Sequence, residues 1–146
     1  MIAIIQFYSQ NKLYGEFSNF YESSIIVDNM TFPTTEHYFQ AMKYSHDKEY
    51  FEKIRTASSA GLAAKLGRNK NRPMRSDWEN VKDGIMMVAL KAKFTQHANL
   101  KKLLLDTSDA ILIEHTKNDS YWGDGGDGTG KNMLGKSLME LRKQLA

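Results

Sequence analysis

Glu36, Gln40 and Lys43 lie in the segment Thr34-Thr35-Glu36-His37-Tyr38-Phe39-Gln40-Ala41-Met42-Lys43-Tyr44, spaced i, i+4 and i+7. At 100° per residue they fall within ~60° of one another on a helical wheel, so an acid, an amide and an amine share one stripe. Tyr38, Phe39, Met42 and Tyr44 supply apolar surface that can hold such a helix against a core while the polar stripe faces a cleft. A carboxylate beside an amine on a rigid element suits a reaction at a sugar carbon. The carboxylate activates water or stabilises developing positive charge, and the amine attacks or donates a proton.

Two further clusters carry candidate chemistry. Lys65, Arg68, Lys70, Arg72 and Arg75 lie within eleven residues and concentrate the formal charge of +3, which suits an anion such as a phosphate. The segment from Tyr121 to Asn132 places five glycines between Gly123 and Gly130, next to Trp122. Gly125 to Lys131 imitates a Walker A loop, but Asn132 stands where that motif needs a hydroxyl for magnesium, and Asp127 would repel phosphates. An EF-hand fails on ligand order. What remains is a loop whose backbone can approach a ligand closely, with an indole able to stack on a base. His37, His46, His97 and His115 lack metal-ligand spacing, so neither a metal nor a cofactor is expected.

These residues need elements to position them. Ile2 to Tyr8 is β-rich, and Ser24 to Phe32 reads as a hairpin turned at Asp28-Asn29. Helices are expected from Thr34 to Ser45, from Lys48 to Thr56, and from Ser58 as N-cap to Leu66 with Gly67 beyond its end. Ser76-Asp77-Trp78-Glu79 matches a capping box, and Trp78, Val81, Ile85, Val88 and Ala92 form an apolar stripe reaching about Gln96. A shorter helix from Asn99 to Asp106, a buried strand from Ala110 to His115 and a last helix from Met133 to Leu145 follow. The expected fold is α+β: a mainly helical single domain over residues 1–146 with a small antiparallel sheet.

Size and composition agree with that expectation. A chain of 146 residues can bury about two-thirds of its unfolded surface around one core without staples. With no cysteine there is no disulfide framework, thiolate metal site or thiol nucleophile. The first twelve residues lack the features of a signal peptide and no apolar run reaches a membrane span, so a cytoplasmic protein without membrane contact is expected.

In the order in which they occur, several segments match one known family. They are Phe17-Ser18-Asn19-Phe20, Pro33 to Lys43, Arg75-Ser76-Asp77-Trp78 with Val81-Lys82, and Lys93-Phe94. Leu112-Ile113-Glu114, Asp119 to Gly123, and Gly130 to Gly135 with Leu138 to Arg142 complete the set. On these segments the chain resembles the YbiA/NADAR family of N-glycosidases nearly end to end. It departs at Met42, where the family commonly has Gln.

The resemblance implies hydrolysis of the bond between a ribose carbon and a base nitrogen. In the YbiA branch the implied small-molecule substrates are the 5-phosphoribosylamino pyrimidines formed early in riboflavin biosynthesis, cleaved to ribose 5-phosphate and an aminopyrimidine as metabolite damage control. Other branches of the superfamily remove ADP-ribose from guanine in nucleic acid, and a non-catalytic module for phosphoribosyl or ADP-ribosyl ligands is a third alternative. Carried onto this sequence, the resemblance assigns Glu36, Lys43 and Asp119 to catalysis. Ser18, Asn19, Gln40, Arg68, Arg72, Lys82, Trp122, Gly123 and Asn132 are assigned to substrate binding. Lys43 either forms a Schiff base with C1′ or, protonated, donates to the sugar or leaving group; the sequence leaves both open.

Overall fold

Helix makes up most of the ordered structure, as the apolar periodicities predict, and short strands supply the remainder. The computed structural model describes residues 2–146, so Met1 lies outside the described residues. The elements run β1 (Ile4–Phe7), a 3-10 turn (Gly15–Phe17), β2 (Ile25–Val27), β3 (Met30–Phe32), α1 (Thr35–Met42), α2 (Lys48–Arg55) and α3 (Ala60–Gly67). They continue with α4 (Trp78–Gln96), α5 (Ala98–Asp106), β4 (Ile111–Glu114) and α6 (Met133–Leu145). Residues 19–96 form one compact unit, and residues 2–18 with 97–146 form another.

In the unit of residues 19–96, β2 and β3 pair antiparallel with Ile25 opposite Phe32 and Val27 opposite Met30. Asp28 and Asn29 both take positive φ, 52° and 64°, which a two-residue hairpin turn of this hand requires. The edge of β2 is closed by a side chain. Gln96 accepts from the Ile26 N–H and donates to the Ile26 carbonyl, both at 2.9 Å, as a neighbouring strand would. Phe32 packs edge-on against Tyr38 of α1 and Phe51 of α2.

Three N-caps start α1, α2 and α3. Thr34, Asp47 and Ser59 accept from the N–H groups of His37, Tyr50 and Leu62, satisfying donors that a helix start leaves unpaired. Thr34 is thus the cap of α1 rather than its first residue, and α3 is capped by Ser59, one residue later than expected. Gly67, expected just past the end of α3, is its last residue.

Helix α4 begins at Trp78, after a turn in which the Trp78 N–H donates to the Arg75 carbonyl. Its buried face is Trp78, Ile85, Met86, Ala89, Leu90, Lys93 and Phe94, while Val88 is exposed. The expected stripe alternated three and four residues, a 3.5 repeat that drifts against the 3.6-residue turn. It therefore follows one flank of the buried face instead of its centre.

In the other unit, β1 and β4 pair in parallel, with Ile4 opposite Ile111 and Phe7 opposite Glu114, and α6 packs on β4. The sheet content is therefore an antiparallel hairpin, as expected, and a parallel pair. Parallel partners distant in sequence leave no turn signature to read. Among the described residues no helix is long and apolar enough to cross a membrane.

Candidate functional site

The first turn of α1 is pinned before its side chains are placed. The Asn19 carbonyl accepts from the Glu36 N–H at 3.1 Å, and Asn19 Oδ1 accepts from the Thr35 hydroxyl at 2.7 Å. The Asn19 amide also reaches Met86 Sδ on α4 at 3.6 Å. Asn19, expected to bind substrate, orients the helix that carries Glu36. On the flank of α1, His37 is buried, with Nε2 donating to the Ala57 carbonyl and Nδ1 accepting from the Thr34 hydroxyl. Burial pushes its pKa below the usual histidine range, against the Ala57 bond, so it stands as a neutral core residue.

The expected stripe forms. Glu36 and Gln40 are both buried, and Gln40 Nε2 donates to Glu36 Oε2 at 3.2 Å. Gln40 Oε1 is buried without a hydrogen-bond partner. Lys43 caps the C-terminal end of α1, and its carbonyl accepts from the Arg75 N–H at 2.8 Å. Its ammonium lies 5.7 Å from the Phe39 ring centre and 5.8 Å from that of Trp78, two rings in edge contact with each other. Burial is the largest influence on Lys43 and lowers its pKa. The Glu36 carboxylate opposes this, Arg68 and Lys82 add to it, and the balance stays below the ordinary lysine range. Glu36, Arg68 and Lys82 are therefore all within electrostatic reach of Lys43.

The cations expected to hold phosphate differ in how they are engaged. Arg72 is spent on structure: its guanidinium donates to both Asp47 carboxylate oxygens at 3.1 and 3.3 Å and stacks 4.7 Å from the Tyr50 ring centre. Lys82 donates to Glu79 at 2.8 Å, with most of its side chain buried. Arg68 is exposed, and no hydrogen bond or ion pair to another described residue engages its guanidinium. Arg75 pairs with Asp77 at 2.6 Å.

The remaining candidates belong to the unit of residues 2–18 and 97–146. Ser18 is buried at the end of the 3-10 turn, its N–H donating to the Gly15 carbonyl. Asp119 Oδ1 accepts from the N–H groups of Tyr121 and Trp122 at 2.9 and 2.8 Å, which folds the start of the glycine-rich loop around it. Trp122 stands edge-on to Tyr121, over whose ring Lys131 extends.

Gly123 is required for closure of this loop. A Cβ there would meet Thr116 Cγ2 at 2.8 Å and the Asp119 carbonyl oxygen at 2.9 Å. Asn132, expected to contact substrate, has its amide committed to β4, accepting from the Glu114 N–H and donating to the Leu112 carbonyl, both at 2.9 Å. Its φ of 52° opens α6. These bonds seat that helix on the strand.

Sequence reasoning missed the second role of Trp78, assigned to the core alone, because contact with Lys43 depends on how α4 crosses α1. It also missed the buried carboxylate of Asp124, which accepts from the N–H groups of Thr116 and Gly126 and bonds His115 Nδ1 at 2.8 Å. The Asx pattern of Asp124-Gly125-Gly126 was available as a signal. Among the described residues no cluster of three or more His, Cys, Asp or Glu side chains could hold a metal.

Residues 6–146 match the NADAR domain. The chain is 57% identical over 144 residues to N-glycosidase YbiA of Escherichia coli, covering 99% of this chain and 89% of that one. It is 41% identical over 143 residues to an N-glycosidase of Nostoc punctiforme, covering 97% and 92%. A riboflavin biosynthesis protein of Vibrio vulnificus is 40% identical over 141 residues, which span 97% of this chain but 38% of that protein. The solution NMR structure of E. coli YbiA superposes with a TM-score of 0.91 at 56% identity, covering 99% of this chain and 86% of that one.

Proposed function

The chain belongs to the NADAR family and is a hydrolase of N-glycosyl bonds, and we propose that its substrates are 5-phosphoribosylamino pyrimidines. The observation that carries this reading is the α1 stripe: Glu36 held by Gln40, beside a half-buried amine whose pKa is lowered.

Cleavage of the C1′–N bond leaves positive charge on the sugar and an electron pair on the departing nitrogen. Glu36 opposes the positive charge and takes a proton from the attacking water, whose oxygen becomes the C1′ hydroxyl while the leaving nitrogen gains a proton. An aminal sugar also opens to an imine at C1′. Neutral Lys43 attacks that carbon, the pyrimidine amine leaves, and water hydrolyses the resulting Schiff base to ribose 5-phosphate and free Lys43. Burial and the neighbouring cations keep more of the amine neutral than at an exposed lysine, which supports the second route. Arg68, without a carboxylate partner, and Lys82, which reaches Lys43 electrostatically, are the cations we assign to the 5′-phosphate; to Arg72, forked on Asp47, we assign a structural part instead.

The test offers purified protein the phosphoribosylamino pyrimidine and, separately, DNA carrying ADP-ribosylated guanine, and follows release of ribose 5-phosphate or ADP-ribose. Turnover of the pyrimidine is expected. Turnover of the DNA alone would replace the substrate assignment, and turnover of neither would remove it. Borohydride added during turnover is expected to leave a ribose phosphate adduct on Lys43, and an unmodified Lys43 would leave only the water route.

A further inference from the structure

Gln40 has a glycine at its back. Gly67, the last residue of α3, is buried against the Gln40 carboxamide; a Cβ at Gly67 would overlap Gln40 Oε1 and lie 2.7 Å from Cδ and 3.0 Å from Cβ. Real Cβ atoms essentially never approach that closely, so the Gln40 side chain can hold its conformation only where residue 67 has no side chain. The φ of Gly67 is not positive, which makes the requirement one of space and not of backbone freedom.

Two tyrosines fix the end of α3 at this depth. The Tyr44 hydroxyl donates to the Gly67 carbonyl at 3.1 Å and the Tyr50 hydroxyl to the Leu66 carbonyl at 2.5 Å. With Oε1 turned to the bare Cα, Nε2 is the end of the amide that meets Glu36. The buried Oε1 goes without a hydrogen bond in this arrangement, a cost that a freely rotating amide would avoid.

We propose that Gly67 and Gln40 are positioning residues for the Glu36 carboxylate: the close approach of α3 clamps the amide so that it donates to Glu36, holding the carboxylate ionised and aimed. The functional part of this inference rests on the N-glycosidase reading, but the clamp itself is a statement about Glu36 that can be measured without substrate.

The experiment is a carboxyl 13C NMR titration of Glu36 in the wild-type protein and in Gly67→Ala, Gln40→Leu and the double variant, with thermal melts to establish folding. A donor to the charged form lowers a carboxyl pKa, so removing it by either substitution is expected to raise the Glu36 pKa by about half a unit or more. The double variant is expected to match Gln40→Leu, because Gly67 acts through Gln40. In the wild type, the Gln40 side-chain amide signals are expected to follow the Glu36 titration whether or not the variants fold.

With a cleavable substrate, Gly67→Ala is expected to lower kcat about tenfold or more with KM within about twofold, and to move the acid limb of the rate profile upward. Gln40 amide signals that ignore Glu36, or a Glu36 pKa unmoved in folded Gly67→Ala, would overturn the clamp. A clamp confirmed by NMR in a protein that cleaves neither substrate would overturn the proposed substrates and leave the clamp standing.

Discussion

At the scale of residues, the consequential charge is the one Lys43 can lose. Its pKa is lowered first by burial and then by Arg68 and Lys82, against the opposing pull of Glu36. The signs of single substitutions follow. Replacing Lys82 or Arg68 by Gln removes a repelling cation, raises the Lys43 pKa and reduces the neutral fraction at fixed pH. Replacing Glu36 by Gln removes the attraction and lowers it further. Reductive methylation by an uncharged aldehyde, followed by peptide mass spectrometry across pH, reads this directly. Lys43 is expected to react at lower pH than the exposed lysines, at higher pH in Lys82→Gln, and at still lower pH in Glu36→Gln. The same Glu36→Gln protein is expected to lose about 100- to 10,000-fold in turnover, so its amine becomes more reactive while the enzyme becomes slower. A Glu36→Gln protein with full turnover would end the assignment of the carboxylate.

At the scale of elements, local patterns were legible where local chemistry decides them. Asp28-Asn29 specified a positive-φ turn, the residues from Met133 to Leu145 formed the helix expected of them, and the i, i+4, i+7 stripe of α1 emerged with Glu36 bonded to Gln40. What depended on packing was hidden. The parallel pairing of β1 with β4 brings together residues more than a hundred apart, and neither strand encodes its partner. Gly67 looked like a helix terminator because its steric demand is set by Gln40 on another helix. The folding of the glycine-rich loop was hidden in a related way: Asp119, Asp124 and Asn132 spend their side chains folding the loop onto its own backbone and onto β4, which its glycine content does not encode. Asp124 has a testable consequence. Burial raises its pKa, but the bonds from His115, Gly126 and Thr116 outweigh burial and hold it below the usual carboxylate range. Its contribution to stability is therefore present above the ordinary carboxylate pKa and is lost as pH falls through the lowered value. Asp124→Ala, which strands two N–H donors, is expected to cost about 1–3 kcal/mol near neutral pH in urea unfolding. The difference from wild type should shrink in strong acid; an equal cost at both pH values would show that packing, and not charge, supplies the effect.

At the scale of the whole molecule, the question is what a net charge of +3 is for. In sequence, Lys65 to Arg75 looks like a continuous basic patch, which would suit either one phosphate or a nucleic-acid backbone. The structure breaks it up. Arg72 is forked onto Asp47 and Arg75 onto Asp77, and elsewhere Arg55 pairs with Glu52, Lys82 with Glu79 and Lys102 with Asp106. Lys65, Arg68 and Lys70 have no ion pair to another described residue, too few cations in that stretch for a track along a polyanion. Binding of a polyanion through six to ten phosphates weakens by about 1,000- to 100,000-fold between 50 and 200 mM salt, whereas contact with one phosphate is merely screened. The kcat/KM for a phosphoribosylamino pyrimidine is accordingly expected to fall by roughly a few-fold over that range. Arg68→Ala should raise KM about tenfold and flatten the dependence, while Arg72→Ala should leave both near wild type and lower the melting temperature instead, because its partner is Asp47 and not the substrate. A salt dependence steeper by orders of magnitude, or equal kinetic losses in the two variants, would return the basic segment to a nucleic-acid role.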